Sequence, residues 1–255
     1  SQGPMKALVL SGGKGSRLRP ITHTSAKQLI PIANKPILFY GLEAIAQAGI
    51  KEVGIIVGDT AAEIRAAVGD GSAFGIKVTY IPQEAPLGLA HAVKISKKFM
   101  GDSPFLMYLG DNLLKESLEP LVSDFKKRNP SAQILVAKVP NPSAFGVVEL
   151  KGGRVVRLIE KPKNPPSDLA LVGVYLFDKT IFKAIDGIKP SPRGELEITD
   201  AIQWLVDHDY LVVTKSIEGW WKDTGKLHDL LEANRLIHET LKGHTHASAR
   251  VDAKS

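Results

Sequence analysis

A glycine-rich segment with three cations follows the first apolar run of the chain. The run at residues 5–10 leads directly into Ser11-Gly12-Gly13-Lys14-Gly15-Ser16-Arg17-Leu18-Arg19-Pro20. Glycines permit tight backbone turns that point N–H groups at phosphate oxygens, and neighbouring cations neutralise phosphate charge. The segment matches neither the dinucleotide-binding fingerprint, which needs glycine at Leu18, nor the P-loop pattern. It therefore predicts either a phosphate-binding loop or a tight surface turn with solvated charges.

Two lysines lie on the long connection that precedes the first predicted helix. They occur in Ser25-Ala26-Lys27-Gln28-Leu29-Ile30-Pro31 and in Asn34-Lys35-Pro36. Loops of α/β proteins commonly reach ligands, so Lys27 and Lys35 are candidates to face the same cleft. Taken singly, a lysine of this kind is more often a solvated surface charge.

Two aspartates follow predicted strands. Asp111 stands in Gly110-Asp111-Asn112 after the strand at 105–109, and Asp223 stands in Trp221-Lys222-Asp223-Thr224-Gly225. Central parallel strands deliver such side chains to ligands, although a lone Asp here is as often a helix cap. Two hard carboxylates, without cysteine or a His-Glu-x-x-His motif, favour Mg²⁺ over zinc.

Two further motifs join cations to acids. They are Glu160-Lys161-Pro162 and Arg193-Gly194-Glu195-Leu196-Glu197-Ile198-Thr199-Asp200. Lys161 and Arg193 are candidates to hold a second phosphate. The alternative is that both cations form ion pairs with the glutamates of these motifs.

Charge and composition narrow the classes of protein. The 255 residues carry 33 Lys and Arg against 27 Asp and Glu, and the whole excess of +6 lies in residues 1–42, which contain six cations and no acid. A nucleic-acid binder is disfavoured, because no reader motif or interleaved aromatics accompany the charge. No cysteine is present, and no apolar run approaches the roughly 20 residues of a membrane helix. We expect a cytoplasmic protein without nucleic-acid or membrane partners.

Short β-rich runs alternate with helical patterns in the first half of the chain, which predicts βαβ units. The predicted strands there are 5–10, 53–57, 77–81 and 105–109, and the predicted helices run from Pro36 to Gly49, from Gly88 to Phe99 and from Leu118 to Lys127. Beyond residue 139, two runs joined by Gly152-Gly153 predict an antiparallel hairpin over 146–150 and 155–159. The remaining predicted elements are strands at 171–177 and 211–217 and helices at 194–207 and 227–241. The predicted fold is α/β, with a Rossmann-like, doubly wound, mixed but mainly parallel sheet and an antiparallel hairpin region.

A single domain is predicted over residues 5–241. Ser1-Gln2-Gly3-Pro4, residues 1–4, resemble the remnant that tag removal leaves before Met5. Residues 242–255 have no sustained helical periodicity, which predicts a mobile tail. Alternatively, Ala249-Arg250-Val251-Asp252-Ala253 begins a truncated parallel β-helix.

Nine short segments, taken in order, resemble the sugar-1-phosphate nucleotidyltransferases. They are Leu10 to Pro20, Lys27 to Pro31, Lys35-Pro36, Gln83 to Ala90, Gly110-Asp111-Asn112, Gly146 to Glu149, Glu160 to Pro162, Arg193 to Asp200 and Asp223 to Gly225. The similarity spans about residues 5–241 and is greatest to members that join dTTP to glucose 1-phosphate. It implies an in-line attack of the sugar phosphate on the α-phosphorus, assisted by Mg²⁺, with release of pyrophosphate. Such chemistry needs charge neutralisation and alignment more than a covalent nucleophile.

The resemblance also implies roles for individual residues. The implied nucleotide-binding residues are Leu10, Gly12, Gly13, Gly15, Gln83, Pro86 and Gly88. The implied sugar-phosphate-binding residues are Gly146, Glu160, Lys161, Gly173 and Arg193. The implied catalytic residues are Arg17, Lys27, Asp111, Lys161 and Asp223, of which Asp111 and Asp223 would hold Mg²⁺.

Leu87 departs from the pattern of many short members, which have an acidic residue just before the glycine. Together with His91 and the β-helix alternative, it makes the chain more similar to longer members. The leading hypothesis is transfer from dTTP to glucose 1-phosphate. UTP or another sugar phosphate on the same scaffold, and a non-catalytic sugar-nucleotide sensor, stay open as alternatives, and so does a homo-oligomer.

Overall fold

Apolar runs rich in β-branched residues form the strands, because such side chains pack well on a pleated surface. The computed structural model describes residues 3–12, 26–224 and 227–252. The strands are β1 (Lys6–Leu10), β2 (Pro31–Ile32), β3 (Lys35–Pro36), β4 (Glu52–Val57), β5 (Lys77–Pro82), β6 (Phe105–Leu109), β7 (Asn112–Leu114), β8 (Ala132–Lys138), β9 (Gly146–Lys151), β10 (Arg154–Glu160), β11 (Leu169–Phe177), β12 (Val212–Ser216) and β13 (Trp221–Asp223). The α-helices are α1 (Ile37–Gln47), α2 (Ala61–Val68), α3 (Leu89–Ile95), α4 (Lys97–Met100), α5 (Glu119–Arg128), α6 (Thr180–Asp186), α7 (Ile198–Asp207) and α8 (Leu227–Asp252).

Nine of the strands form one mixed sheet. Its parallel half has the order β5-β4-β1-β6, so the first strand of the chain lies between the second and the fourth of this half. Strand β11 then runs antiparallel to β6, β8 and β9, and β9 forms the antiparallel hairpin with β10. The predicted mixed, doubly wound sheet with a hairpin region is confirmed. In such sheets, ligands bind outside the carboxyl ends of the strands where the strand order reverses, which is here between β1 and β6.

Both faces of the sheet are covered by helices. Alternate residues of a strand point to opposite faces, so Leu8 and Phe105 pack with α3, α6 and α7, whereas Val9 and Leu106 pack with α1, α2 and α5. A third, smaller cluster joins Leu230 of α8 to the β2–β3 region. Among the described helices, none is both long and apolar enough to cross a bilayer.

Several helices differ from the sequence-based expectation, beginning with α2 and the helix predicted after Gly88. The apolar pattern does not predict α2, because only Ile64 and Val68 of this short helix are buried. The helix predicted from Gly88 to Phe99 is divided into α3 and α4 at Ser96, whose hydroxyl donates to the backbone oxygen of Val93 at 2.6 Å. A serine that bonds the preceding turn in this way often bends or interrupts a helix.

Helix α7 begins at Ile198 rather than at residue 194. The preceding segment is extended instead, because Leu196 donates its N–H to Leu87 at 2.8 Å and accepts the N–H of Ala90 at 3.1 Å. Long-range pairing therefore competes successfully with local helix formation. It also fixes the loop before α3 against the start of α7.

The C-terminal helix is longer than the predicted helix at 227–241. Helix α8 continues through residues 243–252, so the alternative of a β-helix that begins at residue 249 is wrong for the described residues 249–252, whereas mobility of this segment stays a prediction. Gly243 is the only strong helix-weakening residue in this stretch, and proline is absent from it. Helical backbone therefore propagates without the apolar periodicity on which the sequence analysis relied.

Phe105 of β6 provides a test of the core on the helix α3 side. Its ring is fully buried and lies 5.7 Å from that of Phe177 and 5.9 Å from that of Phe182. Phe105→Ala should lower the free energy of unfolding by about 3–5 kcal/mol, because it removes apolar contacts and leaves a cavity. Denaturant titration measures this loss. Leu211→Ala, at a side chain that is 54% exposed, is the control and should change stability by less than about 0.5 kcal/mol.

Candidate active site

The carboxyl ends of β1 and β6 meet at the start of the glycine-rich segment. Gly110 donates its N–H to Leu10 at 2.9 Å, and a Cβ atom at Gly110 would lie only 2.7 Å from the Leu10 oxygen. Only glycine allows this close approach, and Gly12 and Asp111, which follow the two strands, both line the smaller cavity described below. Three predicted site residues, Gly13, Gly15 and Arg17, lie outside the described residues.

Lys27 and Asp111 form an ion pair at this edge. The Lys27 ammonium donates to Asp111 Oδ2, and the two side chains are 21% and 15% exposed, respectively. A lysine held against a carboxylate next to an open cavity is ready to exchange this partner for a phosphate oxygen. Lys35 does not share the site, since its ammonium binds Glu43 at 2.8 Å and lies 4.7 Å from the centre of the Tyr40 ring. The expectation that both lysines face one cleft is therefore wrong for Lys35.

The second aspartate reaches the same edge through a small antiparallel sheet. Strand β13 pairs with β7 so that Asp223 lies opposite Asn112. Thr224 secures the join, because its N–H and its hydroxyl both donate to the backbone oxygen of Asp111, at 3.1 and 2.7 Å. Two carboxylates distant in sequence thus stand at neighbouring positions.

Aspartate is a residue type that binds a divalent cation of the Mg²⁺ type. Mg²⁺ is commonly held by one or two carboxylates together with water and substrate phosphates. In the described part of the chain, no group of three or more His, Cys, Asp or Glu side chains is arranged to hold a metal. A cation at Asp111 and Asp223 would therefore draw its remaining oxygen ligands from solvent and substrate.

Asn112 links Asp111 to the strands β11 and β13 through side-chain hydrogen bonds. The sequence pattern assigned it no role. Its side chain is 1% exposed and donates to Asp111 Oδ1 at 3.1 Å. Its Oδ1 atom accepts from the N–H of Gly173 at 3.2 Å and from the indole N–H of Trp221 at 2.6 Å. One buried amide thereby orients Asp111 and anchors the strand that carries Asp223.

Gly173, which was predicted to contact the sugar, lies in the interior of the sheet. It is buried in β11 directly beneath Asn112, where a Cβ atom would lie 2.5 Å from the Asn112 side chain. Gly173 lines neither of the two cavities described below. In this structure its lack of a side chain makes room for Asn112.

The larger cavity, about 1030 Å³, lies on the Asp223 side of the ion pair. Lys27, Lys161 and Asp223 line it, together with Trp221 and Phe145, whose ring centres are 5.3 Å apart. Trp221 was not singled out by the sequence analysis. It lies two residues before Asp223 in a strand, so the alternation of strand side chains was the signal that could have found it.

Lys161 enters the larger cavity from a constrained turn. Its φ angle is +44°, in the left-handed region that a non-glycine residue rarely adopts. Its N–H donates to the backbone oxygen of Phe145 at 3.0 Å, which holds the turn at the end of β10. Such backbone strain is concentrated at functional sites in proteins.

Arg193 is held by two glutamates. It makes a two-pronged contact with Glu197, at 2.6 and 3.0 Å, and a further ion pair with Glu195 at 2.9 Å. The hydrogen bonds that Arg193 donates to Glu197 raise the pKa of the guanidinium above its ordinary value. The ion-pair alternative is thus correct for Arg193, yet the residue also lines the smaller cavity and is 47% exposed.

Glu160 is a partly buried acid at the end of β10. Burial, reinforced by the negative charge of Glu197, raises the pKa of its carboxyl. Gly146 lies opposite it on the hairpin, where an added Cβ atom would stand 3.1 Å from Glu160 Oε2. The side chains of Leu171 and Thr199 approach the same point, at 3.0 and 3.2 Å, so glycine at position 146 allows these side chains to pack closely beside Glu160.

The smaller cavity, about 390 Å³, lies over the parallel half of the sheet. The predicted site residues that line it are Leu10, Gly12, Lys27, Gln83, Pro86, Gly88, Asp111, Glu160 and Arg193. Gly88 has a φ of +107°, and a Cβ atom there would lie 2.3 Å from the backbone oxygen of Leu196. Both the positive φ angle and the close approach of Leu196 require glycine at position 88. Lys27 lines both cavities and marks their junction.

The arrangement matches a known family. The family model described as nucleotidyl transferase matches residues 6–240. The chain belongs to this family. A glucose-1-phosphate thymidylyltransferase from Streptomyces griseus is 62% identical over 237 residues, which cover 92% of this chain and 67% of that relative. The chain thus spans about two thirds of the length of this relative, in line with the resemblance to longer members.

Solved structures of nucleotidyltransferases share the fold. A Bacillus anthracis protein described as a glucose-1-phosphate thymidylyltransferase, in complex with sucrose, superposes with a TM-score of 0.84 at 35% identity, covering 91% of this chain and 94% of that chain. A UDP-glucose pyrophosphorylase complexed with UDP-glucose superposes with a TM-score of 0.80 at 25% identity, covering 93% and 100%. The resemblance to sugar-1-phosphate nucleotidyltransferases is therefore confirmed.

The raised pKa of Glu160 predicts a pH-dependent effect on stability. A carboxyl whose pKa is raised by folding stabilises the native state below its unfolded pKa, and this contribution is lost as pH rises through the folded pKa. Relative to Glu160→Gln, the wild-type protein should therefore be most stable near about pH 4 and should lose this advantage toward about pH 7. Urea titrations of the substrate-free proteins across this range measure the difference. Glu119→Gln, on the surface of α5, controls for the generic substitution, and a flat difference would contradict the assignment.

Proposed function

We propose that this nucleotidyltransferase joins dTTP to glucose 1-phosphate, giving dTDP-glucose and pyrophosphate. The observation that carries the proposal is the junction of two cavities at the Lys27–Asp111 pair, with Gln83 and Gly88 on one side and Asp223 on the other. Two substrates that meet at this junction would bring a phosphate of each to the same cationic edge. The Streptomyces griseus relative, a glucose-1-phosphate thymidylyltransferase, supports this choice of substrates.

The proposed nucleophile is a phosphate oxygen of the sugar phosphate, which is already ionised and needs no general base. Lys161 and Arg193 would grip this phosphate and align it with the α-phosphorus of the nucleotide. Lys27 would exchange Asp111 for phosphate oxygens and stabilise the charge that builds up on the departing pyrophosphate. Arg17, in the glycine-rich segment, is proposed to assist there. Alignment and neutralisation of this kind supply most of the catalysis in phosphoryl and nucleotidyl transfer.

Asp111, directly before β7, and Asp223, at the end of β13, would hold Mg²⁺, since the pairing of these strands brings the two residues to neighbouring positions. When bound, the cation supplies charge neutralisation and orientation for the reacting phosphates. Asn112 contributes from the protein side by fixing the carboxylate of Asp111 through its buried amide. One of the two proposed ligands is thereby held in a fixed orientation.

Different residues of the site would select the nucleotide and the sugar. Gln83 and the backbone of Gly88 are proposed to contact the base from the smaller cavity, because an amide and a main-chain group match the donors and acceptors of a pyrimidine edge. Glu160, which lines the smaller cavity, and the backbone of Gly146 opposite it would contact sugar hydroxyls. In this assignment Glu160 selects the sugar and takes no part in proton transfer.

A uridylyltransferase on the same scaffold is the second candidate. The observation in its favour is the fold shared with a UDP-glucose pyrophosphorylase. The sensor alternative is less well supported, because Lys27, Asp111 and Asp223 all converge on one edge.

Pyrophosphate release tests the proposed function directly. Purified protein with Mg²⁺ and glucose 1-phosphate should release pyrophosphate faster with dTTP than with UTP, and release should stop when the sugar phosphate is omitted. Faster release with UTP would keep the mechanism and change the base. Absence of release with either triphosphate, despite measurable triphosphate binding, would overturn the proposed substrates.

Asp223 tests the proposed cation site. Asp223→Ala should lower kcat by at least roughly 10²- to 10³-fold, the usual loss when one preorganised electrostatic contact is removed. Asp186→Ala, at an exposed aspartate ending α6, is the matched control and should behave like the wild-type protein. Near-normal turnover in a folded Asp223→Ala variant would rule out the metal-binding role.

Arg193 tests the proposed grip on the sugar phosphate. Arg193→Ala should raise the KM for glucose 1-phosphate about 10-fold or more and should affect the KM for dTTP much less, because uniform binding energy to one substrate is lost. Arg128→Ala, on the exposed end of α5, controls for the loss of a positive charge. Equal changes in both KM values would contradict the assignment.

A further inference from the structure

His91 contacts the side chain of Gln83 at the base end of the smaller cavity. His91 lies in the first turn of α3, and its Nδ1 atom is 3.0 Å from Gln83 Nε2. The backbone of Gln83 is also fixed, because its N–H donates to the backbone oxygen of Val57 at 2.8 Å. The backbone of Gln83 is thus fixed, and the far end of its side chain contacts the imidazole of His91.

The orientation of the Gln83 amide follows from a second contact. Gln83 Nε2 lies 3.3 Å from the backbone oxygen of Gly88, and a carbonyl oxygen can only accept a hydrogen bond. The amide atom on this side must therefore be the nitrogen. Because the same nitrogen faces His91, its second hydrogen points at Nδ1, which must carry a lone pair. The imidazole is then the neutral tautomer with its proton on Nε2.

The environment of His91 agrees with a neutral ring. Burial and the nearby positive charge of Lys94 lower the pKa of the imidazole. A neutral imidazole offers one acceptor nitrogen, whereas a protonated one would offer two donors and would turn the amide around. The hydrogen-bond pattern and the local electrostatics therefore favour the same arrangement.

With both amide hydrogens engaged, Gln83 has its carbonyl oxygen left for a ligand in the cavity that it lines. A carbonyl oxygen accepts the N3–H of thymine or uracil. It repels the N3 atom of cytosine, which carries a lone pair instead of a hydrogen. A fixed amide therefore discriminates between two bases of the same size, which shape alone cannot separate.

We propose that His91 is a positioning residue that sets the choice of base by holding the Gln83 amide with its oxygen toward the nucleotide. The inference deepens the proposed function and rests on it, since it requires a pyrimidine nucleotide in the smaller cavity. Without an acceptor at position 91, the amide could rotate and present its NH₂ group. The site would then lose its preference for an imide base.

The test compares dTTP with 5-methyl-dCTP, which differ only in the hydrogen-bonding edge of the base. Calorimetric Kd values and kcat/KM with glucose 1-phosphate are measured for the wild-type protein and three variants of His91. His91→Leu and His91→Phe remove the acceptor, and Phe also keeps a ring, so that one variant can replace the other if folding suffers. His91→Gln restores an acceptor through its amide oxygen. His238→Leu, at an exposed histidine of α8, is the matched control.

The wild-type protein and His238→Leu should prefer dTTP. In His91→Leu and His91→Phe, the preference should fall at least about 10-fold, in Kd and in KM more than in kcat, as expected for the loss of about one net hydrogen bond. His91→Gln should retain most of the preference. A general loss of packing would weaken both nucleotides alike and leave their ratio unchanged.

The outcomes separate this inference from the proposed function. If the wild-type protein prefers dTTP and the folded His91→Leu and His91→Phe variants keep the same ratio, the role of His91 is overturned while the proposed function stands. If the wild-type protein neither binds dTTP nor releases pyrophosphate with it, the proposed function fails and the role of His91 fails with it. A wild-type preference for 5-methyl-dCTP would overturn the orientation of the Gln83 amide.

Discussion

The ion pair between Lys27 and Asp111 stands where β1 and β6 end, and the two cavities described above meet at it. A site for two phosphorylated substrates must concentrate cations, and cations close together repel one another in the absence of ligand. Partial burial strengthens the attraction of Lys27 for a carboxylate and so holds the lysine in place. Because of the same pairing, Lys27 only replaces one anionic partner, Asp111, by another when a phosphate binds, and the backbone needs little rearrangement.

The same principle, a cation held in place by carboxylates, applies to Arg193. Arg193 is held by Glu195 and Glu197, so that its guanidinium reaches the smaller cavity in a defined orientation. Burial by itself would raise the pKa of Glu197, but the hydrogen bonds from Arg193 and Ser191 lower it overall, which keeps this acid ionised as a partner. Glu160, without such a partner, has the opposite shift. The pKa values of these neighbouring acids therefore shift in opposite directions according to their hydrogen bonds.

Much of the fold could be predicted from local pattern. Strands β1, β4, β5 and β6 and helix α1 follow from apolar runs, glycines and a proline at the helix start. The segment before α7 could not be predicted, because Leu196 pairs with a loop more than one hundred residues earlier in the chain. The same holds for α8, whose last ten residues continue a helix without the periodicity by which helices are recognised in sequence. Local propensity is a weak guide wherever distant backbone or an existing helix supplies the competing interaction.

The sequence by itself determined which residue types were available and where along the chain they stood. The glycine-rich segment, the aspartates after strands and the ordered series of motifs sufficed to indicate phosphate chemistry and the family. Only the tertiary structure decided that Asp223 lies opposite Asn112, that Lys35 turns away to Glu43 and that Gly173 gives its space to Asn112. It also decided that His91 meets Gln83. The physical reason is that hydrogen bonds and ion pairs depend on separations of about 3 Å, and distance along a chain does not specify separation in space.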